Sequence, residues 1–347
     1  MSILAISLDA VERGLVPDVM TRVAIRKLCR NRLKECVRIN DTLAGSHTAF
    51  LNSMRSGPIA RVPEKANEQH YELPPEFFTR VLGPHRKYSS CLWDAESTTL
   101  EQAEEAALEV TCQRVELAND QNILELGCGW GSLSLWMAAK YPGSRITAVS
   151  NSAPQRQFIE SQAAIRGLSN LEIVTADMNH FTAEPARFDR VVSVEMFEHM
   201  WNYELLLQRI ASWLRPDGRL FVHHFCHRRF LYSFETRGEA DWMARYFFTG
   251  GIMPCENLLC GFDQHLQIVN QWRWDGKHYQ KTSEAWLRNL DAHRKEVLPI
   301  FESVYGAEDA DRWFHRWRLF FLAVAELFGY ADGKEWFVAH SLLRPSA

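Results

Sequence analysis

The eleven residues from Asn122 to Ser132 restrict the fold of this chain more than any other stretch. Ile123, Leu124 and Leu126 form a short apolar run of the kind that becomes a buried strand. Glycines at positions 127, 129 and 131 then alternate through a tight turn, and a helical pattern runs from 133 to 140. Glycine lets the backbone bend and approach a ligand closely, and a helix N-terminus offers unpaired N–H groups. Strand, glycine turn and helix are typical of the first unit of a nucleotide-binding α/β sheet.

The spacing of the glycines indicates what kind of ligand this turn accepts. It is Gly-x-Gly-x-Gly rather than the Gly-x-Gly-x-x-Gly of dinucleotide enzymes, which favours a compact ligand without a pyrophosphate. Glu125 stands at the end of the strand, where a carboxylate holds an ammonium group. The alternative is a plain strand-to-helix turn without a ligand.

The same alternation of strand and helix continues for about 100 residues beyond this turn. It predicts a parallel, doubly wound, Rossmann-like sheet, whose ligands collect at the carboxyl ends of the strands. Polar residues and a glycine stand at these ends: Gly127, Asn151, Asp177, Glu195 and His224. The predicted strands are 123–126, 145–149, 171–175, 190–194 and 219–223, and the predicted helices are 133–140, 154–167 and 203–214.

Composition shifts divide the chain into four predicted parts. Residues 1–66 form an N-terminal helical cap, 67–224 the cofactor-binding core, 225–334 a helical and aromatic substrate lid with a sixth strand, and 335–347 the last core strand. Within the last two parts we expect strands at 266–274 and 336–343 and long helices at 283–297 and 309–328. The first long helix carries seven basic residues between 22 and 38 against one glutamate, Glu35. A membrane-surface helix and a solvated cap helix both remain open for it.

Composition also excludes several classes of protein. The net charge of −4 argues against a nucleic-acid partner, and 46% hydrophobic residues argue against disorder. Eight scattered cysteines show no zinc spacing, and residues 1–10 lack the features of a secretory signal. We therefore expect a cytoplasmic protein without a metal, and a homodimer is left open.

The polar residues at the strand ends favour one nucleotide over others. Asp177 is placed to accept a hydrogen bond from an adenine amino group, although a turn-capping role is the alternative for this residue alone. Asn151 and Gln155 offer amides, where an acid for ribose hydroxyls is more common. Together with the glycine turn, these residues favour S-adenosylmethionine as the cofactor.

With these motifs placed, the chain resembles the cyclopropane-fatty-acid synthase family of class I methyltransferases, and within it the coclaurine N-methyltransferase branch. The matching stretches span nearly the whole chain: 69–74, 82–89, 99–105, 124–134, 151–160, 188–200, 220–227, 272–286 and 326–341. The resemblance implies cofactor contacts from Ser89, Gly127, Gly129, Asn151, Gln155, Asp177 and Met178. It implies a catalytic face from Glu195, Glu198, His199, His224 and Tyr279.

Such a catalytic face suits methyl transfer to nitrogen. An alkylamine titrates near about 10, so it arrives protonated and needs a group that removes the proton. A carboxylate binds the cation and a neutral histidine takes the proton, and Glu195, Glu198 and His199 supply both types within one turn. Without the family, a helix-capping acid pair beside a packed histidine would be the simpler interpretation.

His223 and the aromatic loop depart from the families that the chain resembles. The N-methyltransferases carry Glu where this chain has His223, so the amine substrate is open. A metal site of His223 and His227 needs a helix, whereas His223 ends a predicted strand. In cyclopropane synthases a Tyr-Ser-Cys loop helps to hold a bicarbonate base, but here Ser90 stands at the cysteine position and Cys91 follows. We therefore expect N-methylation of a small, aromatic amine, with methylene transfer to unsaturated membrane lipid as the alternative.

Overall fold

The computed structural model describes residues 3–42, 46–62, 73–236, 238 and 241–346. The strands are β1 (Asn122–Leu126), β2 (Arg145–Ser150), β3 (Leu171–Thr175), β4 (Phe188–Val194), β5 (Leu214–His227), β6 (Tyr232–Ser233), β7 (Ile252–Met253), β8 (Leu266–Trp274) and β9 (Trp336–Pro345). The helices are α1 (Ile3–Glu12), α2 (Asp18–Thr42), α3 (Ser46–Ser53), α4 (Pro75–Val81), α5 (Leu100–Arg114), α6 (Ser132–Lys140), α7 (Ala153–Ile165), α8 (Tyr203–Trp213), α9 (Trp242–Tyr246), α10 (Gly276–Ala292), α11 (Arg294–Tyr305) and α12 (Ala310–Phe328).

Seven of the described strands form one sheet, in the order β3-β2-β1-β4-β5-β9-β8. The first five pair in parallel, and β9 pairs antiparallel with both β5 and β8. The order reverses direction beside β1, which creates a crevice at the carboxyl ends of β1 and β4. The predicted doubly wound α/β sheet is confirmed, with β8 as its sixth strand and an antiparallel edge.

Local sequence explains where the first core helix begins. The Thr99 side chain accepts a hydrogen bond from the Gln102 N–H, and the Gln102 side chain accepts one from the Thr99 N–H, which completes a capping box at the start of α5. Leu108 and Cys112 of α5 then pack with Ile123 of β1 and Leu133 of α6. Each such buried aliphatic side chain stabilises the fold by about 1.5–3 kcal/mol.

The basic helix α2 packs against the C-terminal helices. Arg22 donates to Glu284 of α10 and to Glu326 of α12, and Arg26 donates to Glu326 at 2.8 Å. Ile25 and Cys29 are buried on the same side. Basic residues that pair with buried or half-buried acids support the cap interpretation of this helix over the membrane-surface one.

The predicted boundary between residues 66 and 67 lies outside the described residues. In the described ranges, no helix combines the length and apolar character needed to cross a bilayer.

Candidate active site

The glycine turn forms one wall of a cavity at the carboxyl ends of the parallel strands. Gly127 has a φ of +80°, and a Cβ there would lie 2.7 Å from the Met196 side chain. Gly129 has a φ of +52°, and no described atom lies within 4 Å of where its Cβ would point. A side chain at either position is therefore disfavoured: at 127 by a steric clash, and at both by the left-handed backbone.

Glu125 lines this cavity near the end of β1. Its carboxylate accepts a hydrogen bond from the Ser134 hydroxyl at the start of α6. Burial raises the pKa of Glu125 to about 8, and the Ser134 hydrogen bond opposes that rise only in part. An ammonium group in the cavity would favour the ionised carboxylate, as the sequence-based argument expects.

All seven predicted cofactor residues line this single cavity: Ser89, Gly127, Gly129, Asn151, Gln155, Asp177 and Met178. Asp177 also accepts from the Asn179 N–H at 2.8 Å, so it braces its own turn while facing the cavity. The turn-capping contact of Asp177 is therefore present, and its role as an adenine contact stays a prediction.

Several polar atoms of the cavity wall have no partner within the described ranges. They are the Nε1 of Trp130, the Oγ of Ser132 and the Nε2 of Gln155, and each is buried. Gln155 uses its Oε1 to accept from the Ser150 hydroxyl at 2.7 Å, which leaves its Nε2 as a donor. Buried polar groups normally find a partner, so these atoms fit a polar ligand such as the adenosyl and methionyl parts of S-adenosylmethionine.

Glu195 follows β4 directly, with a φ of +49° that is uncommon outside glycine. Its Oε1 accepts from the Ser90 N–H at 3.0 Å and from the His223 Nε2 at 3.1 Å. Its Oε2 accepts from the Tyr279 hydroxyl at 2.7 Å. Burial raises the pKa of Glu195, while the Lys87 charge and the Ser90 and Tyr279 hydrogen bonds oppose the rise. Three donors from distant parts of the chain therefore fix this carboxylate.

Glu198 lies in the 3-10 turn Phe197–His199 and is fully buried. Its Oε1 accepts from the Phe225 N–H at 2.7 Å, and its Oε2 has no partner in the described part of the chain. Burial raises the pKa of Glu198 well above its usual range, and the charge of Glu195 raises it further. The two acids of this turn therefore have different surroundings.

Two histidines complete the predicted catalytic face. His199 lines the cavity, with its ring centroid 4.6 Å from that of Phe248, and burial lowers its pKa to about 4. His224 is buried in β5, burial lowers its pKa to about 4, and both of its ring nitrogens lack partners among the described residues. Both imidazoles are therefore neutral at pH 7.

The structure brings the five predicted catalytic residues to one region but does not give them equal access to the cavity. Glu195 and His199 belong to its wall. Glu198, His224 and Tyr279 are buried and are not among the residues that form the wall. Sequence reasoning missed Lys87, which is buried in the wall and donates to the Ser89 hydroxyl at 2.6 Å. A lysine in a loop gives no sequence signal of such burial.

The three histidines of β5 have separate environments, which bears on the metal interpretation. His223 uses its two ring nitrogens for Glu195 and for His340. The Nδ1 of His227 accepts from the N–H groups of Arg229 and Phe230. Neither pattern resembles a shared ligand set.

Comparison with known proteins decides the family. The family model described as mycolic acid cyclopropane synthetase matches residues 60–332. The chain belongs to this family. The (S)-coclaurine N-methyltransferase of Thalictrum flavum subsp. glaucum is 39% identical over 342 residues, which cover 97% of this chain and 94% of that protein. The enzyme of the same name from Papaver somniferum is 35% identical over 338 residues, or 96% of each chain.

A solved structure extends this likeness to the fold of the whole chain. The crystal structure of a coclaurine N-methyltransferase bound to N-methylheliamine and SAH superposes with a TM-score of 0.94 at 36% identity, covering 99% of this chain and 100% of that one. SAH is S-adenosylmethionine without its methyl group. The chain is thus a methyltransferase of the cyclopropane synthetase family that uses S-adenosylmethionine, and the comparisons support N-methylation of a small amine.

Proposed function

We propose that this chain transfers a methyl group from S-adenosylmethionine to the nitrogen of a small amine that carries an aromatic ring system. One observation carries the proposal: the Oε2 of Glu198 and both ring nitrogens of His224 are buried without partners among the described residues. Glu198 accepts from the N–H of Phe225, the residue that follows His224 in β5, and the charge of Glu195 acts on both Glu198 and His224. Buried polar atoms of this kind suit the N–H of an amine.

Aromatic side chains cluster around Phe225, whose N–H donates to Glu198. Phe225 contacts Phe248 and Phe328 at ring-centroid distances of 5.6 and 6.2 Å, and Phe248 contacts His199. Tyr279 stacks on Phe328 at 4.3 Å. Such rings bind a flat aromatic substrate and stabilise a cation near their faces.

Proton affinity distinguishes the two candidate bases. An alkylamine of pKa about 10 faces His199, whose pKa is about 4. This gap of about six pKa units makes direct transfer to His199 unfavourable at equilibrium by about 8 kcal/mol. Burial raises the pKa of Glu198, so this pKa is closer to that of the amine than the pKa of His199 is. We therefore assign the proton to Glu198, and the electrostatic attraction of the amine to Glu195.

The cofactor, when bound, supplies the electrophilic methyl group. The chain's own contribution is to hold the nitrogen in line with that group and to exclude water. Glu195 and His199 belong to the cavity wall that holds the predicted cofactor residues, whereas Glu198 is buried beside Phe225. In this proposal the methyl group passes between these two regions.

The bonding of Glu195 disfavours the lipid alternative. In cyclopropane synthases, by the resemblance, a bicarbonate is held by counterparts of Ser90, Glu198, His224 and Tyr279. In this chain the Ser90 N–H and the Tyr279 hydroxyl both donate to Glu195. A protein carboxylate therefore already uses two of the positions that would hold the bicarbonate.

A mass-spectrometric experiment separates the two functions. The enzyme is incubated with cofactor that carries a trideuterated methyl group, a panel of secondary benzylic amines and unsaturated phospholipid vesicles in one tube. An amine product that retains three deuterium atoms is expected, because methylation moves the group intact. A lipid product that retains two would contradict the proposal, because forming a cyclopropane ring removes one deuteron from the transferred carbon.

Localisation and assembly belong to the same proposal. All eight cysteines are unpaired, and seven of them are buried, which supports a reducing compartment such as the cytoplasm. A homodimer stays a prediction, which analytical ultracentrifugation would test.

A further inference from the structure

Four side chains form a line of hydrogen bonds that begins at the end of α5 and ends at Glu195. The Nη1 of Arg114 lies 2.7 Å from the Nδ1 of His340. The Nε2 of His340 lies 2.9 Å from the Nδ1 of His223, whose Nε2 lies 3.1 Å from the Oε1 of Glu195. We call these residues the Arg114 chain.

The direction of every hydrogen bond in the Arg114 chain follows from its first member. A guanidinium group only donates, so the Nδ1 of His340 must accept and its Nε2 must carry the hydrogen. The Nδ1 of His223 then accepts in turn, and its Nε2–H donates to Glu195. Burial holds the pKa of both histidines well below the usual range, so both rings are neutral and each has one defined tautomer.

Strand pairing places the two histidines together. His223 of β5 and His340 of β9 are direct partners in the antiparallel ladder, and such partners share one face with close Cβ atoms. Both are fully buried, and the Trp274 ring lies 4.3 Å from the His340 ring and 5.4 Å from the His223 ring. The two histidines in the middle of the Arg114 chain are therefore shielded from water.

In the part of the protein that the structure describes, no carboxylate lies within ion-pair distance of the Arg114 guanidinium. The guanidinium instead lies over the rings of Trp272 and Trp274, at 5.0 and 5.7 Å. Its polar contact toward the interior is His340. Two neutral imidazole rings thus connect the positively charged guanidinium to the buried carboxylate of Glu195 by hydrogen bonds.

We propose that Arg114 and His340 are positioning residues, which act through His223 to hold an N–H group on Glu195 and so keep that carboxylate ionised and oriented toward the cofactor cavity. Glu195 then serves the cationic sulfonium and amine, while Glu198, with one donor, remains able to take the proton. This inference rests on the proposed methylation. It gives His223, which departs from the glutamate of similar N-methyltransferases, a defined task.

Substitutions of His340 test the proposal. His340→Leu removes both hydrogen bonds, and we expect kcat for methylation to fall by about 10- to 100-fold, as for other partners that orient catalytic groups. His340→Gln keeps an acceptor and a donor on one side chain and should restore kcat to within several-fold. The dissociation constant of the cofactor, by calorimetry, should stay within several-fold in both variants.

A neighbouring residue supplies the matched control. Ser341 is equally buried in β9 and bonds to Gln271 outside the Arg114 chain. Ser341→Ala should leave kcat within about two-fold, because it removes a polar group from the same strand without touching Glu195. Equal losses in Ser341→Ala and His340→Leu would overturn the proposal, because they would reflect general damage to the strand.

The sequence of contacts in the Arg114 chain, in which Arg114 acts through His340, gives a second test. Arg114→Met should lower kcat about as much as His340→Leu, and the double variant should be no worse than His340→Leu alone. Losses that simply multiply would show that Arg114 acts elsewhere, and would contradict the proposal.

A spectroscopic readout does not depend on any substrate. Long-range ¹⁵N–¹H correlation spectra of histidine-labelled protein should show both His223 and His340 protonated at Nε2, with His223 assigned through His223→Gln. A His223 ring protonated at Nδ1 would overturn the inference even if amines are methylated. If the tautomers are as expected but no amine is methylated, the proposed function is refuted, whereas the hydrogen-bond directions in the Arg114 chain still hold.

Discussion

The cofactor side and the acceptor side of the site are built in different ways. On the cofactor side, the predicted residues lie in the loops that follow β1, β2 and β3, in the first turn of α7 (Gln155) and at Ser89, and all of them line one cavity. On the acceptor side, Glu195 and Glu198 accept hydrogen bonds from residues that are far away in the sequence. The separations are 105, 28 and 84 residues for the donors to Glu195 and 27 residues for the donor to Glu198. The cofactor side is thus specified locally, whereas the acceptor side depends on how distant strands and helices meet. Damage on each side should therefore appear in a different measurement.

The largest effect should come from Glu198→Gln, which keeps the shape of the side chain but removes the proton acceptor. We expect kcat to fall by about 10²- to 10⁴-fold, with the cofactor dissociation constant within several-fold. Stopped-assay kinetics and calorimetry measure the two quantities. Weakened cofactor binding of the same size would remove the distinction between the two sides.

The pH dependence of stability tests the cofactor side through Glu125. Its folded pKa of about 8 exceeds the unfolded value of about 4.5. The folded protein therefore holds an extra proton, and stability falls as the pH rises from about 4.5 to 8, by at most on the order of 4–5 kcal/mol. Glu125→Gln should lose the share of this slope that Glu125 contributes in thermal unfolding curves from pH 5 to 8, whereas the raised pKa values of Glu195 and Glu198 act in both proteins. Saturating cofactor should flatten the wild-type slope, because its ammonium group favours the ionised carboxylate. Parallel curves for the two proteins would contradict the assignment.

Asp177→Ala should weaken cofactor binding by about 1–3 kcal/mol, the usual cost of a lost buried partner. Turnover at saturating cofactor should change little. The Asn179 side chain also donates to Asp177, at 3.3 Å, and bonds to the backbone of Ala60. Asn179→Ala removes these contacts while keeping the N–H that Asp177 accepts, so it serves as the control for loosening of the turn. Equal losses of affinity in both variants would mean that Asp177 acts only as a turn residue.

The smallest effect should follow from Tyr279→Phe, which removes one of three donors to Glu195 and keeps the ring that stacks on Phe328. We expect a loss of about 0.5–1.5 kcal/mol in transition-state stabilisation, or several-fold in kcat/KM. A loss as large as that of Glu198→Gln would show that the hydroxyl itself takes part in proton transfer.

These two sides also explain how much of the molecule sequence could predict. The glycine turn, the five parallel strands and the S-adenosylmethionine preference follow from local patterns, and the structure and the comparisons confirm them. The roles of the individual site residues stay predictions. His340 and Arg114 gave no signal, because they meet Glu195 only through the pairing of β5 with β9.

Tertiary contacts also determine helix boundaries that differ from the predicted ones. The bounds of the predicted helix at 283–297 were wrong: this stretch is helical, but it spans the end of α10, which begins at Gly276, and the start of a second helix, α11, at Arg294. Asp275 caps α10 by accepting from the Lys277 N–H. Gly276 packs against the carbonyl oxygens of Phe328 and Trp336, each 2.2 Å from where a Cβ would lie. A glycine that reads as a helix breaker is therefore the residue that lets this helix approach the sheet.

The ladder between β5 and β9 has a consequence for sequence variation. Adjacent residues of a strand face opposite sides, so inserting or deleting one residue in β9 ahead of His340 would turn its ring to the other face of the sheet. Such a change lies about 140 residues after the glutamate–histidine motif, and an alignment would leave every residue of that motif intact. A gene with a one-codon length change there should encode a folded cofactor-binding protein with poor turnover. In this proposal, the length of the C-terminal strand is therefore a criterion for activity among relatives that carry the same pair of histidines.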